Sequence, residues 1–478
     1  MNRPWSLRIP QPLYQELHAH LFPGDHDEHG AVIEAGLSII RGETVLLARR
    51  LIKAREGSEW VPGKRGYRML TAAFVTQCVR ECRQEEQVYL AVHNHGGEAS
   101  VAFSDVDLDT HERGFPALLD IMKGRPVGSL VFARNAIAGD IWTKNGRHPI
   151  GHATVVGAGR LVLTPSPARN PLAASPRYDR QTRLFGDRGQ VILGQSRVAI
   201  VGLGGVGILL AEYLGRLGVG TIVLVDPDRL KIINLPRMID ATGRDAMSWL
   251  TAKTRPAWLQ ALGFRFALPK VRLAKRIIRK ANRKAKIEPF QTEIEDPAAL
   301  EAVKSCDYIF LAADSHRARL LVNALAHQYL IPVAQLGSRI RSDQESGTVD
   351  HVHTVTRWVL PHTGCLVCNQ AINPARLQEE SISKEMLKHQ KYTDDPDVVA
   401  PSVITLNSET ASQAANDFLF YITGLASQNA STGYIRTHPL SRKIEVVTPR
   451  KDPDCAECGL GSSSRFARGD GASLPLVD

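Results

Sequence analysis

The sequence predicts an α/β protein of two domains, and three observations carry that prediction. An apolar run at Val198–Val201, a G-x-G-x-x-G turn, an apolar-periodic segment at Ile208–Leu217 and a second run at Thr221–Val225 read as strand, turn, helix and parallel strand. Ahead of them, residues 1–165 alternate apolar runs with turns and one helical stripe. Between the two lies PSPARNPLAASPR, rich in Pro, Ala and Ser, which marks a boundary. The expected organisation is a first domain at 1–165, a linker at 166–177, a second domain at 178–458 and a flexible Gly- and Ser-rich tail at 459–478.

Composition places the chain among ordinary globular proteins. It has 478 residues, of which 43% are hydrophobic and 23% charged. No apolar run has the length of a membrane span, and the opening MNRPWSLRIPQPLY lacks the apolar core of a signal peptide, so a cytoplasmic location is the expectation. The net charge of +10 admits an acidic partner.

In the first domain, Ala31–Ile40 and Thr44–Ile52 read as two strands around an Arg-Gly turn. Thr71–Glu86 reads as a helix with Ala72, Val75, Cys78, Val79 and Cys82 on one stripe. Gln87–Val92 reads as a strand that delivers His93-Asn94-His95 at its end. Histidines at i and i+2 on an extended chain point the same way and can share a metal. Asp107, in Ser104-x-x-Asp107, supplies a third ligand and leaves a position open for water, as a catalytic zinc requires. A base must take the proton from that water, and Glu28 is the candidate, with Glu34 as its competitor. Asp105 and Asp109 suit a helix N-terminus. Gly114–Gly124 and Val127–Ala133 complete the domain as helix and strand.

An upstream Glu, an H-x-H and an S-x-x-D resemble the JAMM (JAB/MPN) metalloproteases, although Gly96 stands where that family has proline. The resemblance implies zinc on His93, His95 and Asp107, acid/base work by Glu28, and stabilisation of the tetrahedral oxyanion by Ser104. It also implies cleavage of peptide or isopeptide bonds after ubiquitin-like C-termini.

In the second domain the glycines of the turn are Gly202, Gly204, Gly205 and Gly207, and the second strand ends in Asp226. Backbone N–H groups at such a turn approach a phosphate, and the acidic residue suits a ribose hydroxyl pair. Asp226-Pro-Asp228 and Asn234-Leu-Pro-Arg237 follow. The three motifs in this order resemble the ThiF and MoeB group of adenylating enzymes, which includes the ubiquitin-activating enzymes. The resemblance implies a Rossmann-like domain with a parallel-rich sheet that binds ATP and Mg2+, with Gly202, Gly204, Gly205, Gly207, Asp226, Asp228, Asn234 and Arg237 at the nucleotide. In that group the Arg of a Y-x-R-Q motif reaches ATP phosphates, often from a partner subunit. That places Arg180 of Tyr178-Asp-Arg180-Gln181 at the nucleotide and makes a homodimer the expectation. A phosphate-binding Lys is assigned to Lys270, with Lys253 as the alternative. Asp314, after the strand Asp307–Ala312, is the implied magnesium ligand, in a D-S-H-R run similar to the group's D-x-x-x-x-R.

Residues 270–286 are strongly basic, with Val271, Ala274, Ile277, Ile278 and Ala281 at helical spacing. No aromatic residue interleaves them, which argues for a solvated helix face and against nucleic acid. Residues 241–269 are an insertion carrying Trp249 and Trp258, 377–400 are polar and read as a crossover loop, and Ser402–Leu425 reads as a helix on the sheet. Cys365, Cys368, Cys455 and Cys458 make two Cys-x-x-Cys pairs, a tetrahedral set with no open position, similar to the structural zinc of MoeB and ThiF. Residues 369–454 contain no cysteine, so the thioester step of many ubiquitin-activating enzymes is missing from this chain.

The combined expectation is one chain that adenylates the C-terminal glycine of a ubiquitin-like protein and also cleaves an amide at such a terminus, with a conjugating enzyme supplying the thiol. Such fusions resemble components of bacterial ubiquitin-like systems, some of which serve in phage defence. Two other readings stand beside it: adenylation of a sulfur-carrier protein, and a non-catalytic scaffold for a ubiquitin-like tail.

Overall fold

A computed structural model describes residues 5–55, 57–62, 68–167, 175–342, 349–381, 401–426 and 431–476. The chain divides into two compact units: Met1–Pro171 with His327–Leu330 and Asp452–Ser473, and Leu172–Ala326 with Ile331–Lys451 and Leu474–Asp478.

The first unit runs β1 (Trp5–Pro10), α1 (Gln11–Leu21), β2 (Gly30–Ile40), β3 (Glu43–Lys53), β4 (Trp60–Pro62), β5 (Arg68–Leu70), α2 (Ala72–Gln84), β6 (Val88–Asn94), α3 (Asp105–Ile121), β7 (Val127–Ala133), β8 (Ala136–Thr143), β9 (Gly146–Val156) and β10 (Arg160–Leu163). Its sheet has the order β1-β3-β2-β6-β7-β8-β9-β10, and β1 also pairs with β9. One core cluster joins α1 to the sheet through Leu17, Leu21, Ile33 and Leu90. A second is built from Phe74, Cys78, Val79 and Cys82 of α2 with Phe115 and Leu119 of α3; of the stripe expected on α2, Cys78, Val79 and Cys82 are buried and Val75 is half-buried, while Ala72 is exposed and Phe74 takes its place in the core. The α3 helix begins at the Ser104 cap, where Asp105 and Asp109 suit an N-terminus, and runs on through the segment expected as a helix from Gly114. Ser104 and Asp107 exchange side-chain and backbone bonds there, which offsets the cost of Gly114 and Pro116 inside the helix.

The second unit runs α4 (Asp179–Gln195), β11 (Arg197–Val201), α5 (Gly205–Leu217), β12 (Thr221–Val225), α6 (Ser248–Thr251), α7 (Ala257–Phe266), α8 (Lys270–Ala281), β13 (Lys286–Phe290), α9 (Pro297–Lys304), β14 (Tyr308–Leu311), α10 (His316–Gln328), β15 (Val333–Ser342), β16 (Val349–Val359), α11 (Pro374–Ser381), α12 (Ile404–Thr423), β17 (Tyr434–His438) and β18 (Lys443–Val447). The sheet order is β13-β12-β11-β14-β15-β16-β17-β18. Pairing is parallel from β13 through β15 and antiparallel from there to β18. Parallel strands are buried on both faces, which is why Val198–Val201 and Thr221–Val225 read as continuous apolar runs. On α8, Val271, Ala274, Ile277, Ile278 and Ala281 are buried, as their spacing predicts, while Arg276 and Lys280 pair with Asp240 and Asp245. The insertion at 241–269 contains α6 and α7, with Trp249 and Trp258 exposed.

The tail corrects the expectation of flexibility. Phe466 and Ala467 are buried, and a Cβ on Gly36 of β2 would stand 2.1 Å from the Ala467 carbonyl oxygen, so the tail lies directly on that strand. Asp470 accepts from the Ile39 N–H at 2.7 Å, and Arg468 donates to Glu85 at 2.7 Å. The buried Arg49 guanidinium donates to the carbonyl oxygens of Phe466 and, at 2.7 Å, Gly461. Composition alone concealed this, because a few anchoring side chains order an otherwise Gly- and Ser-rich segment. Truncation after Gly461 is expected to destabilise the first unit by at least about 3 kcal/mol, read as a lower urea midpoint at unchanged slope. An unchanged midpoint would count against the packing role. The second domain boundary shifts with it, since Cys455 and Cys458 fall within the stretch assigned to the first unit. Residues 168–174 of the expected linker and 382–400 of the expected crossover loop lie outside the described residues.

One carboxyl in the second unit is poorly compensated. Burial pushes Asp417 on α12 up to about 6, against a hydrogen bond from Gln413. An acid raised above its unfolded value costs stability as pH climbs from about 3.9 to the folded value, and the full cost remains above it. Asp417→Asn is therefore expected to gain roughly 1–3 kcal/mol at pH 7 and nothing at pH 3.5. Equal denaturation midpoints for the two proteins at pH 7 would refute this. No described helix is long and apolar enough to cross a membrane.

Candidate functional site

Two sites are built at the carboxyl ends of strands. In the second unit, β11 leads into Gly202, whose φ of +91° suits glycine and whose Cβ, if present, would lie 2.5 Å from the Ala313 nitrogen. Gly207 lets α5 approach that turn, since a Cβ there would meet the Gly202 carbonyl oxygen at 2.0 Å. Asp226, at the end of β12, accepts from the Leu203 N–H at 2.6 Å and from the Asp228 N–H at 2.9 Å. Burial raises its carboxyl, against the nearby Lys270 charge. Lys270 is the first residue of α8 and is buried, with Nζ 2.6 Å from Asp228 and 3.5 Å from Asp226. Lys253, the alternative, is exposed.

Arg237 ends a short 3-10 turn, Ile232–Arg237, and its Cδ lies 3.5 Å from where a Cβ on Gly205 would stand. Asn234 is buried, and its side-chain oxygen accepts from the Lys231 N–H at 2.9 Å, so it shapes the turn that presents Arg237. Asp314 is exposed in the segment between β14 and α10. Arg180 is exposed in the first turn of α4 and makes no hydrogen bond or ion pair among the described residues. Glu293 was not anticipated: burial raises its carboxyl, and Glu295, Asp226 and Asp228 raise it further. Two acids just beyond the carboxyl end of a parallel strand were the available signal.

In the first unit, β6 lies between β2 and β7, and antiparallel pairing sets Gly30 opposite His93. The start of β2 therefore meets the end of β6, and Glu28 comes to 4.0 Å from His95 Nε2. Asn94 locks this junction by accepting from the His29 N–H at 2.6 Å. Glu34, the competitor, is buried further along β2 and paired with Arg50 at 2.7 Å. Asp107 lies 3.5 Å from His93 Nε2 and 3.3 Å from His95 Nε2. Burial alone would raise the Asp107 carboxyl, but the two imidazoles and the Ser104 hydroxyl hold it well below the usual carboxylate range.

His93, His95 and Asp107 can each direct a ligand atom to within 4.8 Å of the others. The donor set fits zinc on an observation independent of the motif: His93 Nε2 is buried with no hydrogen-bond partner among the described residues. His95 Nδ1 contacts the Ala102 carbonyl oxygen at 3.1 Å, which leaves Nε2 to face the group. Ser104 spends its hydroxyl on Asp107 at 2.7 Å, so in this arrangement it orients the carboxylate.

Cys365 with Cys368 and Cys455 with Cys458 form the two Cys-x-x-Cys pairs, the second within the stretch assigned to the first unit. Backbone N–H groups of Cys368 and Glu457 point at sulfur within each pair, at 3.3 and 3.4 Å. The remaining thiols are poor nucleophiles: Cys78 is pushed up to about 12 by burial, Cys82 is pushed up too, and Cys306 is buried.

The ThiF family pattern matches residues 178–457. A sulfur carrier protein adenylyltransferase of Thermus thermophilus is 29% identical over 152 residues, 31% of this chain and 49% of that protein. An adenylyltransferase and sulfurtransferase MOCS3 of Dictyostelium discoideum is 34% identical over 149 residues, 31% of this chain and 30% of the relative. A molybdopterin-synthase adenylyltransferase of Escherichia coli is 28% identical over 172 residues, 35% of this chain and 59% of the relative. The chain thus spans between 30% and 59% of the length of these curated relatives.

Proposed function

The chain belongs to the ThiF family, and on that premise we propose that its second unit adenylates the C-terminal carboxylate of a small protein ending in glycine. The observation that carries this reading is the convergence of Asp226, Asp228 and Lys270 beside the Gly202–Gly207 turn. In this reading Asp226 would hold the ribose, and the turn's N–H groups with Arg237 and Lys270 the phosphates. Magnesium, with Asp314 as its proposed ligand, would neutralise phosphate charge. The substrate carboxylate oxygen bonds to the α-phosphorus of ATP, and the bond to the β-phosphate oxygen breaks, releasing pyrophosphate. Catalysis of this kind is mainly positioning and charge stabilisation. ATP–pyrophosphate exchange dependent on a glycine-ended partner tests it, and no exchange with any such partner would favour the scaffold reading.

The partner is a ubiquitin-like protein or, as a second reading, a sulfur carrier. The second is favoured by the absence of cysteine from residues 369–454. With no thiol in that stretch, the acyl-adenylate passes to a thiol or sulfur donor on another protein. A homodimer, with Arg180 acting on the nucleotide of the second copy, belongs to the same proposal.

For the first unit the proposal is a JAMM-type peptidase acting on such a C-terminus. A zinc ion on His93, His95 and Asp107 would supply Lewis acidity with one coordination position open. Glu28 accepts a proton from the attacking water and returns it to the departing amine. The four cysteines are assigned a structural zinc. Metal analysis of the purified chain is then expected to give two zinc ions per chain, and one in a Cys365→Ser/Cys368→Ser double variant. Unchanged zinc in that variant would remove the structural site.

A further inference from the structure

Beside the proposed peptidase centre lies a cavity of about 260 Å³ whose wall includes His93, Asp107 and Glu28. Its body is apolar: Trp60, Met69, Leu70, Phe115 and Leu118 line it. Gly30 leaves room for the Trp60 ring, since a Cβ there would meet Trp60 Cη2 at 3.0 Å. Of the titratable groups on the wall, Glu28, His93 and Asp107 belong to the proposed catalytic centre, His29 bonds Asp25 at 2.9 Å, and His111 bonds Asp140 at 2.9 Å. None of them is left to compensate a charged guest, which would enter at a desolvation cost.

The volume decides what fits. It falls below the roughly 300 Å³ at which pockets for whole small molecules begin. It exceeds the roughly 150 Å³ apolar cavity that takes up benzene. One uncharged side chain the size of Leu, Met or Phe satisfies both limits. Resting on the peptidase reading above, we propose that this cavity is a specificity pocket for an apolar side chain on a residue flanking the scissile amide. The substrate class is then a tail with a large apolar residue next to the cleaved bond, rather than a tail of small residues alone.

Gly114 of α3 lines the cavity, and a Cβ built on it meets nothing within 4 Å among the described residues. Gly114→Leu therefore puts side-chain volume into the cavity at a position that is not a metal ligand, and it favours the helix. The test uses the full zinc-loaded chain and peptides varied on each side of the cleaved bond. Leu, Met or Phe at one flanking position is expected to raise kcat/KM over Gly by about tenfold or more. Gly114→Leu is expected to bring the Leu peptide down to the glycine level and leave the glycine peptide within about twofold. Equal rates for Leu and Gly peptides in the unaltered protein, or an equal fall for both in the variant, would overturn the pocket. If no peptide is cut, the peptidase reading fails, and the pocket is judged by saturation-transfer NMR with N-acetyl-leucinamide. Transfer to the leucine methyls that disappears in Gly114→Leu supports it, and no transfer refutes it.

Discussion

Asp314→Ala and Lys270→Ala are each expected to lower ATP–pyrophosphate exchange by about a hundredfold or more, while Lys253→Ala changes it by less than about twofold. The asymmetry between the two lysines follows from their positions. Lys270 Nζ sits 2.6 Å from Asp228 at the head of α8, and Lys253 is exposed within the insertion. Removing Lys270 also leaves the buried Asp226 carboxyl without its neighbouring cation, so nucleotide affinity should fall together with turnover. Asp314 is exposed and has no such structural duty, so its variant should fold with an unchanged midpoint. If Asp314→Ala exchanges at the normal rate, the magnesium assignment is wrong. Loss on Lys253→Ala in place of Lys270→Ala would relocate the phosphate contact to the insertion.

Glu28→Gln is expected to abolish peptide cleavage, a loss of about a hundredfold or more, with both zinc ions retained. His93→Ala should lose the activity and one zinc together, because it removes a ligand. The contrast matters because His95 and Asp107 already contact each other at 3.3 Å, and an ordinary ion pair of this geometry needs no metal. If His93→Ala binds as much zinc as the unaltered chain, the triad is structural. If Glu28→Gln still cuts, the base lies elsewhere.

Much of this was legible in the residues because the chemistry demands short-range patterns. The Gly202–Gly207 turn and Asp226 are fixed by one strand–helix–strand unit, and His93 with His95 by the period of a single strand. Lys270 was harder, since an insertion containing α6 and α7 separates it from Arg237, and only folding brings it to Asp228. Glu28 was preferred to Glu34 for its place just before the glycine that opens β2, and the register of β2 against β6 is what carries it to His95. Asn234 was read as a nucleotide contact, and in the structure its side chain closes a turn. Glu293 escaped notice because its environment comes from Asp226 and Asp228, far off in sequence. The ordered tail was missed for the same reason, as Asp470 finds its partners on β2.

The most direct test of the central claim is the intact mass of a glycine-ended ubiquitin-like or sulfur-carrier protein after incubation with this chain, ATP and magnesium. The account predicts addition of one AMP to the partner's C-terminus, absent with Asp314→Ala, and pyrophosphate as the co-product. Conversion of ATP to ADP and phosphate, with every such partner left at its original mass, would contradict it.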